Sequence, residues 1–563
     1  MHKHVVIVNG DSNFSELQKI FKDVDYVSSD YITYESLKSL GVGYLYSDSS
    51  NSDEKLSSIY RSSLNWYKDS NGVDVVHLNG ISFGPLIART VISSFGNDYR
   101  NYLAFKLLID KYESISINKR AAPSFKRVAL AFKNKINWFD FDEDIDINRE
   151  SSPVRTIINP YPHIHSLSKY SRLLQNLIMP FMRKKTLIWP DWTFDAIFKN
   201  KKDCLILNST KPWHGYYLSE SNKFNKEAEN IFPEHIKLND IDFNKINQRL
   251  AELDISWSRE LVQLFITTIA RVYDESYINI RRCYSIYKEL LTHYNPSSIV
   301  LPGSTHFGYL IAVQIARRMD IKTILISDGY PVVKDESFHF FLARKGDYIF
   351  DKYVAFGMAN KELFVKYDGI PKERIVVAES PLVDKVKKQA SNRKRHSVIV
   401  MAYYPNQHNP NTRWDKRIKT AVNIVKCLIR IGETKIIIKI KDGGTASLER
   451  AFYEKCFAGV GLLDSVEIIG GEFNNIVSSA KYIVGQISTA LFESICANTP
   501  YYIYEPYDSG IMELSIKNSA LIEPKDVLRN ITELENAILE GRGYSVDDHK
   551  YLTDGPSLDS ILL

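Results

Sequence analysis

The chain has 563 residues, with 72 Lys and Arg against 67 Asp and Glu, a net charge of +5, and 44% hydrophobic residues. This mixture is typical of globular chains and excludes a fully disordered or collagen-like protein. A surplus of five positive charges is small for a protein whose main partner is nucleic acid, so we expect no nucleic-acid partner. The length allows about three or four domains at roughly 150 residues each.

The sequence predicts a cytoplasmic protein. No apolar run approaches the ~20 residues that cross a bilayer. The first residues, Met1–His4, lead straight into the strand-like run Val5–Val8, which does not resemble a signal peptide. The cysteines form no CxxC pair, so neither a disulfide framework nor a zinc site is indicated.

Short β-rich runs alternate with longer helical stretches. Most runs are continuous in Val, Ile, Leu and Tyr, which is typical of parallel strands buried on both faces. In chain order the predicted strands are Val5–Asn9, Val73–Leu78, Thr186–Trp189, Cys204–Leu207, Ser298–Leu301, Thr323–Ile326, Tyr353–Phe356, Arg374–Ala378, Ser397–Met401, Lys435–Ile440, Val466–Ile469, Tyr482–Val484 and Tyr501–Tyr504. This alternation predicts a doubly wound α/β fold.

A domain boundary is predicted near residue 390, where the polar, basic stretch Lys385–His396 precedes a new strand. Residues 1–390 are then an N-terminal Rossmann-like domain, 391–540 a C-terminal Rossmann-like domain, and 541–563 a polar tail. Because 390 residues exceed one Rossmann-like unit, we expect an insertion at about 100–185, where the strand–helix rhythm is lost.

Ligands of open parallel sheets bind outside the carboxyl ends of the strands, so residues that follow a strand are the first site candidates. A strand runs into Gly485, and a helix is predicted to begin near Ser488. Backbone N–H groups at such a junction bind anions, and we expect a nucleotide phosphate there, aided by the hydroxyls of Ser488 and Thr489. Glu493, one turn later, is placed to accept hydrogen bonds from a ribose. A plain N-cap with a solvated glutamate remains the alternative.

Two further segments are candidates for the same ligand. Lys439 and Lys441 alternate with apolar residues at a strand end, beside a Gly-Gly turn, and suit a phosphate or carboxylate. Tyr403, Gln407 and His408 follow the strand Ser397–Met401 on a loop punctuated by proline, where they can hydrogen-bond and stack. The alternatives are a solvated turn and an ordinary surface loop.

Asp328 and His306 are the candidates for catalysis. Each follows a predicted strand, Thr323–Ile326 and Ser298–Leu301 respectively, so they share one rim if those strands are neighbours. A carboxylate there serves as a general base or a nucleophile. The alternative for Asp328 is a turn-forming Asp-Gly pair.

No metal site is predicted. The alternating residues Asp140, Asp142, Asp144 and Asp146 contain D-x-D spacing, but they lie in the expected insertion and lack the Gly and final Glu of a calcium loop. We interpret them as a solvated acidic stretch.

Several segments together resemble GT-B glycosyltransferases. Tyr353–Asp384 is similar to the passage between their two domains, because Gly369-Ile370, Glu373-Arg374-Ile375 and Ser380–Asp384 stand where that family has GI, ERI and G-x-P-x-D, with Glu379 in place of the usual glycine. Ile326–Gly329 resembles the site that carries Gln-His-Gly in many relatives. Gln486–Glu493 followed by Asn498–Pro500 resembles their nucleotide motif.

The resemblance covers about residues 295–510. It is closest to bacterial surface-polysaccharide enzymes: Kdo transferases, GT-B sialyltransferases and CDP-glycerol glycerophosphotransferases. These carry His-Pro where this chain has Lys441-Asp442, and the first 290 residues or so match no such family.

The resemblance implies two Rossmann-like domains facing each other across a cleft, with no bound metal and no cofactor. It implies a nucleotide-sugar donor in the C-terminal domain, held by Gln486, Ser488, Thr489, Glu493, Lys439, Lys441, Tyr403, Gln407 and His408. The acceptor, a glycan or lipid-linked glycan, is expected at Asn9, Gly10 and Asp11.

The favoured donor is a CMP-activated ulosonic acid, Kdo-like or nonulosonic, whose carboxylate accounts for Lys439 and Lys441. A CDP-polyol phosphotransferase, a UDP- or GDP-hexose transferase and an inactive GT-B scaffold are the alternatives. Since acceptors of these families are built at the inner membrane, peripheral contact through Leu167–Lys185, which ends Arg183-Lys184-Lys185, is a further hypothesis. A core helix followed by solvated charges is its alternative.

Overall fold

The structure is a computed structural model. It describes residues 3–8, 14–29, 33–34, 37–45, 66–67, 77–78, 81–118, 127–129, 132–139, 186–188, 204–207, 215–216, 224–232, 258–302, 307–326, 350–366, 369–379, 395–402, 414–440, 446–471, 473–488, 490–506, 522–544 and 556.

The described strands form three parallel sheets and one short antiparallel ladder. Strands of the first sheet and the ladder are β1 (His4–Val8), β2 (Asp25–Ser28), β3 (Gly43–Tyr44), β4 (His77–Leu78), β5 (Ile81–Ser82), β6 (Ser114–Asn118) and β7 (Ile136–Phe139). Those of the second sheet are β8 (Thr186–Ile188), β9 (Cys204–Leu207), β10 (Gly215–Tyr216), β11 (Ser298–Leu301), β12 (Lys322–Ile326), β13 (Lys352–Phe356) and β14 (Ile375–Ala378). Those of the third are β15 (Ser397–Met401), β16 (Ile436–Lys439), β17 (Val466–Ile469), β18 (Ala480–Gly485), β19 (Tyr501–Tyr504) and β20 (Val527–Leu528).

Helices connect most of these strands. Within the described residues they are α1 (Phe14–Ile20), α2 (Gly84–Lys111), α3 (Asn225–Ile231), α4 (Arg259–Tyr294), α5 (Phe307–Arg318), α6 (Gly357–Lys366), α7 (Trp414–Arg430), α8 (Ala446–Gly459), α9 (Asn474–Val477), α10 (Ala490–Cys496) and α11 (Ile531–Leu539).

Each parallel sheet has the doubly wound strand order. The orders are β3-β2-β1-β6-β7, β10-β9-β8-β11-β12-β13-β14 and β17-β16-β15-β18-β19-β20. In all three the chain builds outward from the first strand on one side and then returns to build on the other. The third sheet has the complete order 3-2-1-4-5-6 of a Rossmann fold. The predicted α/β class with doubly wound, Rossmann-like parallel sheets is confirmed.

The third sheet is covered on both faces, as its continuous apolar strands predict. Alternate strand residues such as Ile399, Ile437 and Ile483 pack in one cluster with residues of α9 and α10. Their neighbours, such as Val398 and Ile438, pack on the other face with residues of α7, α8 and α11.

We expected residues 1–390 to form one Rossmann-like domain with an insertion, and this division of the chain stays a prediction. The described strands of residues 1–390 form two sheets, and β6 and β7 of the first sheet lie inside the expected insertion at about 100–185. These strands were missed because polar residues interrupt their apolar ones; β6, for example, reads SISIN. The boundary near residue 390 falls between β14 and β15, outside the described residues, and stays a prediction.

Helices join the first sheet to the second. Helix α4 is amphipathic, with a buried residue at every third or fourth position, and it packs against α2 and α5. Asp98 on α2, which is fully buried, accepts hydrogen bonds from Arg127 at 2.7 and 3.0 Å and from Thr268 of α4 at 3.3 Å. Gln314 of α5 bonds both the N–H and the carbonyl oxygen of Ser82, at 2.9 and 3.1 Å.

The tail 541–563 is packed at its described residues. The N–H of Tyr544 donates to the carbonyl oxygen of Tyr501 at 2.7 Å, and the carbonyl oxygen of Pro556 accepts from the N–H of Glu379 at 3.2 Å. The tail therefore contacts both the start of β19 and the end of β14.

Candidate functional site

The point where the strand order of the third sheet reverses lies between β15 and β18. These strands pair in parallel, with Val400 opposite Val484, so they end side by side at Met401 and Gly485. A doubly wound sheet opens a crevice at this point, because the connections leave in opposite directions. The crevice therefore lies beside the first residue that follows each strand, Ala402 and Gln486.

Gly485 ends β18 at a position with no room for a side chain. A Cβ atom there would lie 2.6 Å from the hydroxyl oxygen of Tyr501 and 2.7 Å from Cβ of Met401, closer than such atoms approach in proteins. Glycine is thus required by the close approach of the buried Tyr501 and the partly buried Met401 rather than by a left-handed backbone.

The loop after Gly485 is supported from the core. The hydroxyl of Tyr501, a fully buried side chain, donates to the carbonyl oxygen of Gln486 at 2.6 Å. Burial raises the pKa of this hydroxyl, and the neighbouring Ser488 hydroxyl partly opposes the shift. Tyr501 consequently stays protonated and serves as a donor.

Ser488 and Glu493 lie at the beginning of α10. Oγ of Ser488 is buried beside Tyr501 and completes no hydrogen bond of good geometry with another described residue. The carbonyl oxygen of Ser488 accepts from the N–H of Leu491 at 3.1 Å, which starts the helical turn. Glu493 is half-buried between the buried residues Phe492 and Ser494, on the outer side of the helix. Thr489 lies outside the described residues.

Lys439 ends β16 directly opposite Met401 in the register. Its side chain is 5% exposed, and its amino group donates to the carbonyl oxygen of Ile440. It lies one strand away from the reversal point, on the side of β15 opposite β18. Lys441, Tyr403, Gln407 and His408 lie outside the described residues, and their roles stay predictions.

The two predicted catalytic residues follow neighbouring strands. Strands β11 and β12 pair in parallel, with Leu301 opposite Leu325, so the two strands are neighbours, as we expected. Strand β11 also pairs with β8, which makes it one side of the reversal point of the second sheet. Asp328 and His306 themselves lie outside the described residues.

The predicted acceptor residues Asn9, Gly10 and Asp11 also lie outside the described residues. They follow β1, which pairs with β6 at the reversal point of the first sheet. This sheet is separate from the second sheet, which directly precedes the third in the chain.

Sequence reasoning missed two residues at this edge of the third sheet. Glu505 follows β19, and its side chain is 1% exposed; its N–H donates to the carbonyl oxygen of Leu528 at 3.0 Å. Inspection of the residue after each strand could have found it. Tyr501 carried no such signal, because a tyrosine in an apolar strand looks like a core residue.

Among the residues that the structure describes, no group of three or more His, Cys, Asp or Glu side chains is arranged to hold a metal ion. None of the helices among those residues is both long and apolar enough to cross a membrane. Asp140–Asp146 and Leu167–Lys185 both lie entirely outside the described residues.

No family model matches the chain, and neither does any curated protein. Among solved structures, it is similar to the UDP-GlcNAc 2-epimerase of Methanocaldococcus jannaschii in complex with UDP-GlcNAc and UDP, with 13% identity, 67% of this chain and 98% of that chain covered, and a TM-score of 0.41. It is also similar to HepE of Anabaena in complex with UDP and glucose, with 9% identity, coverage of 68% and 95%, and a TM-score of 0.34. A third is the wall teichoic acid polymerase TagF, with 9% identity, coverage of 65% and 83%, and a TM-score of 0.33. At these identities and scores the likeness says nothing about activity.

Proposed function

We propose that the chain is a GT-B glycosyltransferase of bacterial surface-polysaccharide biosynthesis, which binds its nucleotide-sugar donor at the carboxyl edge of the third sheet. One observation carries the proposal: the segment that resembles the nucleotide motif, Gln486–Glu493, follows the strand at which a complete Rossmann order reverses. The motif is a property of the sequence and the strand order is a property of the fold, so the two observations are independent.

The proposed chemistry assigns a role to each group. Backbone N–H groups of the loop would hold a donor phosphate, and Glu493, a half-buried residue, would accept from the ribose. Backbone N–H groups and cationic side chains would stabilise the charge of the leaving nucleotide without a metal. Asp328 would act as general base toward the acceptor, with His306 on the same rim. Transfer should therefore persist in EDTA.

The proposed donor is a CMP-activated ulosonic acid of O-antigen, capsule or lipopolysaccharide synthesis. Its support is the pair Lys439 and Lys441, of which Lys439 brings an amino group to the strand end beside Met401. A carboxylate on the sugar would supply the complementary charge.

Calorimetric titration of the full chain with CMP, CDP, UDP and GDP tests the proposal. Binding of CMP above the others is the expected result. Preference for CDP favours a polyol-phosphate transferase, and preference for UDP or GDP a hexosyltransferase. If no nucleotide binds, the proposed transferase activity is refuted and the inactive GT-B scaffold is favoured.

We propose peripheral membrane contact for the same enzyme, because its acceptor would be lipid-linked. The basic cluster Arg183-Lys184-Lys185 would contribute about 1 kcal/mol per charge on an anionic leaflet. Co-sedimentation with anionic vesicles, lost when the three residues are changed to Ser and absent with neutral vesicles, is expected. Equal recovery of the protein without vesicles and with either kind would contradict this contact.

A further inference from the structure

The buried hydroxyl of Tyr501 contacts the loop that the proposed function assigns to a donor phosphate. Tyr501 begins β19 and lies opposite Ile483 of β18 in the register. Its ring belongs to the core cluster under α9 and α10, and its hydroxyl reaches the carbonyl oxygen of Gln486 at 2.6 Å. Tyr501 therefore supports the loop from the core and is not itself a residue of the loop.

This hydrogen bond sets the direction of one peptide group. The bond between Gln486 and Ile487 is trans, as are the other described peptide bonds. In a trans peptide the carbonyl oxygen of one residue and the N–H of the next point in opposite directions. Because the Gln486 carbonyl points inward to Tyr501, the N–H of Ile487 points away from it, outward from the core. No hydrogen bond joins this N–H to another described residue.

Three contacts hold Tyr501 in place. The carbonyl oxygen of Tyr501 accepts from the N–H of Tyr544 in the tail at 2.7 Å. The carbonyl oxygen of Pro500, the preceding residue, accepts from the N–H of Ile483 at 2.9 Å. The hydroxyl lies against Gly485, where a Cβ would come within 2.6 Å of it. Rotation of the phenol away from the loop would leave its hydroxyl buried without this acceptor, which proteins avoid.

We propose that Tyr501 is a positioning residue for the donor phosphate: its hydroxyl fixes the 486–487 peptide so that the Ile487 N–H donates to a phosphate oxygen. The proposal rests on the proposed function and extends it to a residue that does not touch the ligand. Because the Ile487 N–H already points outward, the loop need not reorganise when the anion binds, and this favours binding of the phosphate. The nucleoside part of the ligand, which carries no phosphate, gains nothing from it.

The test compares two isosteric substitutions on one strand. Tyr501→Phe removes only the hydroxyl that contacts the loop. Tyr502→Phe is the matched control, because Tyr502 is equally buried and packs on the opposite face of the sheet. Each variant is titrated with CMP and with cytidine, or with UDP and uridine if wild type prefers UDP.

The expected result is a loss of about tenfold in CMP affinity for Tyr501→Phe, the scale of one hydrogen bond to a charged group, with cytidine affinity unchanged. Tyr502→Phe should bind both ligands as wild type does. CMP affinity at the wild-type level, or an equal loss for CMP and cytidine, would overturn the positioning role. Wild type that binds no nucleotide would refute the proposed function instead, so the two failures are distinct.

A second measurement requires no substitution and covers the case in which Tyr501→Phe folds poorly. Hydrogen–deuterium exchange at the Ile487 amide of wild type should slow when CMP is added and stay unchanged with cytidine. Exchange at Ile487 that is the same with and without CMP would contradict the proposal.

Discussion

Gly485→Ala is the substitution for which the structure gives the clearest expectation. The new Cβ would lie 2.6 Å from the Tyr501 hydroxyl, 2.7 Å from Cβ and 2.8 Å from Cγ of Met401. Neither neighbour can move freely, since Met401 ends a central strand and the hydroxyl is bonded to Gln486. Overpacking of this kind costs about 1–3 kcal/mol. Loss of the Tyr501 hydrogen bond adds about 1 kcal/mol, so we expect a total of about 2–4 kcal/mol.

The assay is urea denaturation followed by titration with the nucleotide that wild type binds. Gly459→Ala is the matched control: it lies at the end of α8 in the same sheet unit, has no atom within 4 Å of its would-be Cβ, and is not left-handed. Alanine in a helix is favoured over glycine by up to about 1 kcal/mol, so this variant should be as stable as wild type or slightly more.

A double variant sharpens the prediction. Phe at position 501 has no hydroxyl, so Gly485→Ala combined with Tyr501→Phe loses the closest of the three contacts. The two substitutions should therefore cost less together than the sum of their separate costs. If Gly485→Ala behaves like Gly459→Ala, the close packing of this loop on Tyr501 and Met401 is refuted.

Three further predictions concern other parts of the account. Glu493→Ala should weaken nucleotide binding by about 1–3 kcal/mol if its carboxylate accepts from the ribose; unchanged calorimetric affinity in a folded variant would remove that role. Asp328→Asn should retain nucleotide binding and lose at least ~100-fold in turnover, the scale of one acid–base group, whereas near-normal turnover would place the chemistry elsewhere. Asp98→Ala should lower unfolding free energy by about 3–5 kcal/mol, because it leaves Arg127 without its buried partner. Glu540→Ala, which breaks an exposed bridge to Arg542, should cost less than about 1 kcal/mol in the same denaturation experiment; equal effects would contradict the buried pair.

The sequence predicted most strands of the second and third sheets, with the exception of β10 and β20. Cys204–Leu207, Ser298–Leu301, Val466–Ile469 and Tyr501–Tyr504 have the observed bounds. Ser298–Leu301 and Tyr501–Tyr504 are buried at every residue, as continuous apolar parallel strands are expected to be. The first sheet was largely missed, since β2 and β6 carry polar residues among the apolar ones. Two of its strands, β6 and β7, fall in the segment that we expected to be an insertion.

The candidate site was predicted in part, for a similar reason. The turn after Gly485 follows from a strand that runs into a glycine and a serine, which is a local signal. The support by Tyr501 depends on two residues 15 positions apart and on the register of β18 and β19, which no local pattern contains. Glu505 was predictable in part: the sequence shows that it follows a strand, but its burial depends on the packing of the fold.

The central claim is that a nucleotide binds at the carboxyl edge of the third sheet. Photoaffinity labelling with an azido derivative of the bound nucleotide, followed by peptide mapping, tests it most directly. We expect the label on peptides that contain residues 485–493 or 401–414, and its loss when the unmodified nucleotide competes. Competed label confined to residues 4–139 or 186–326 would contradict the account.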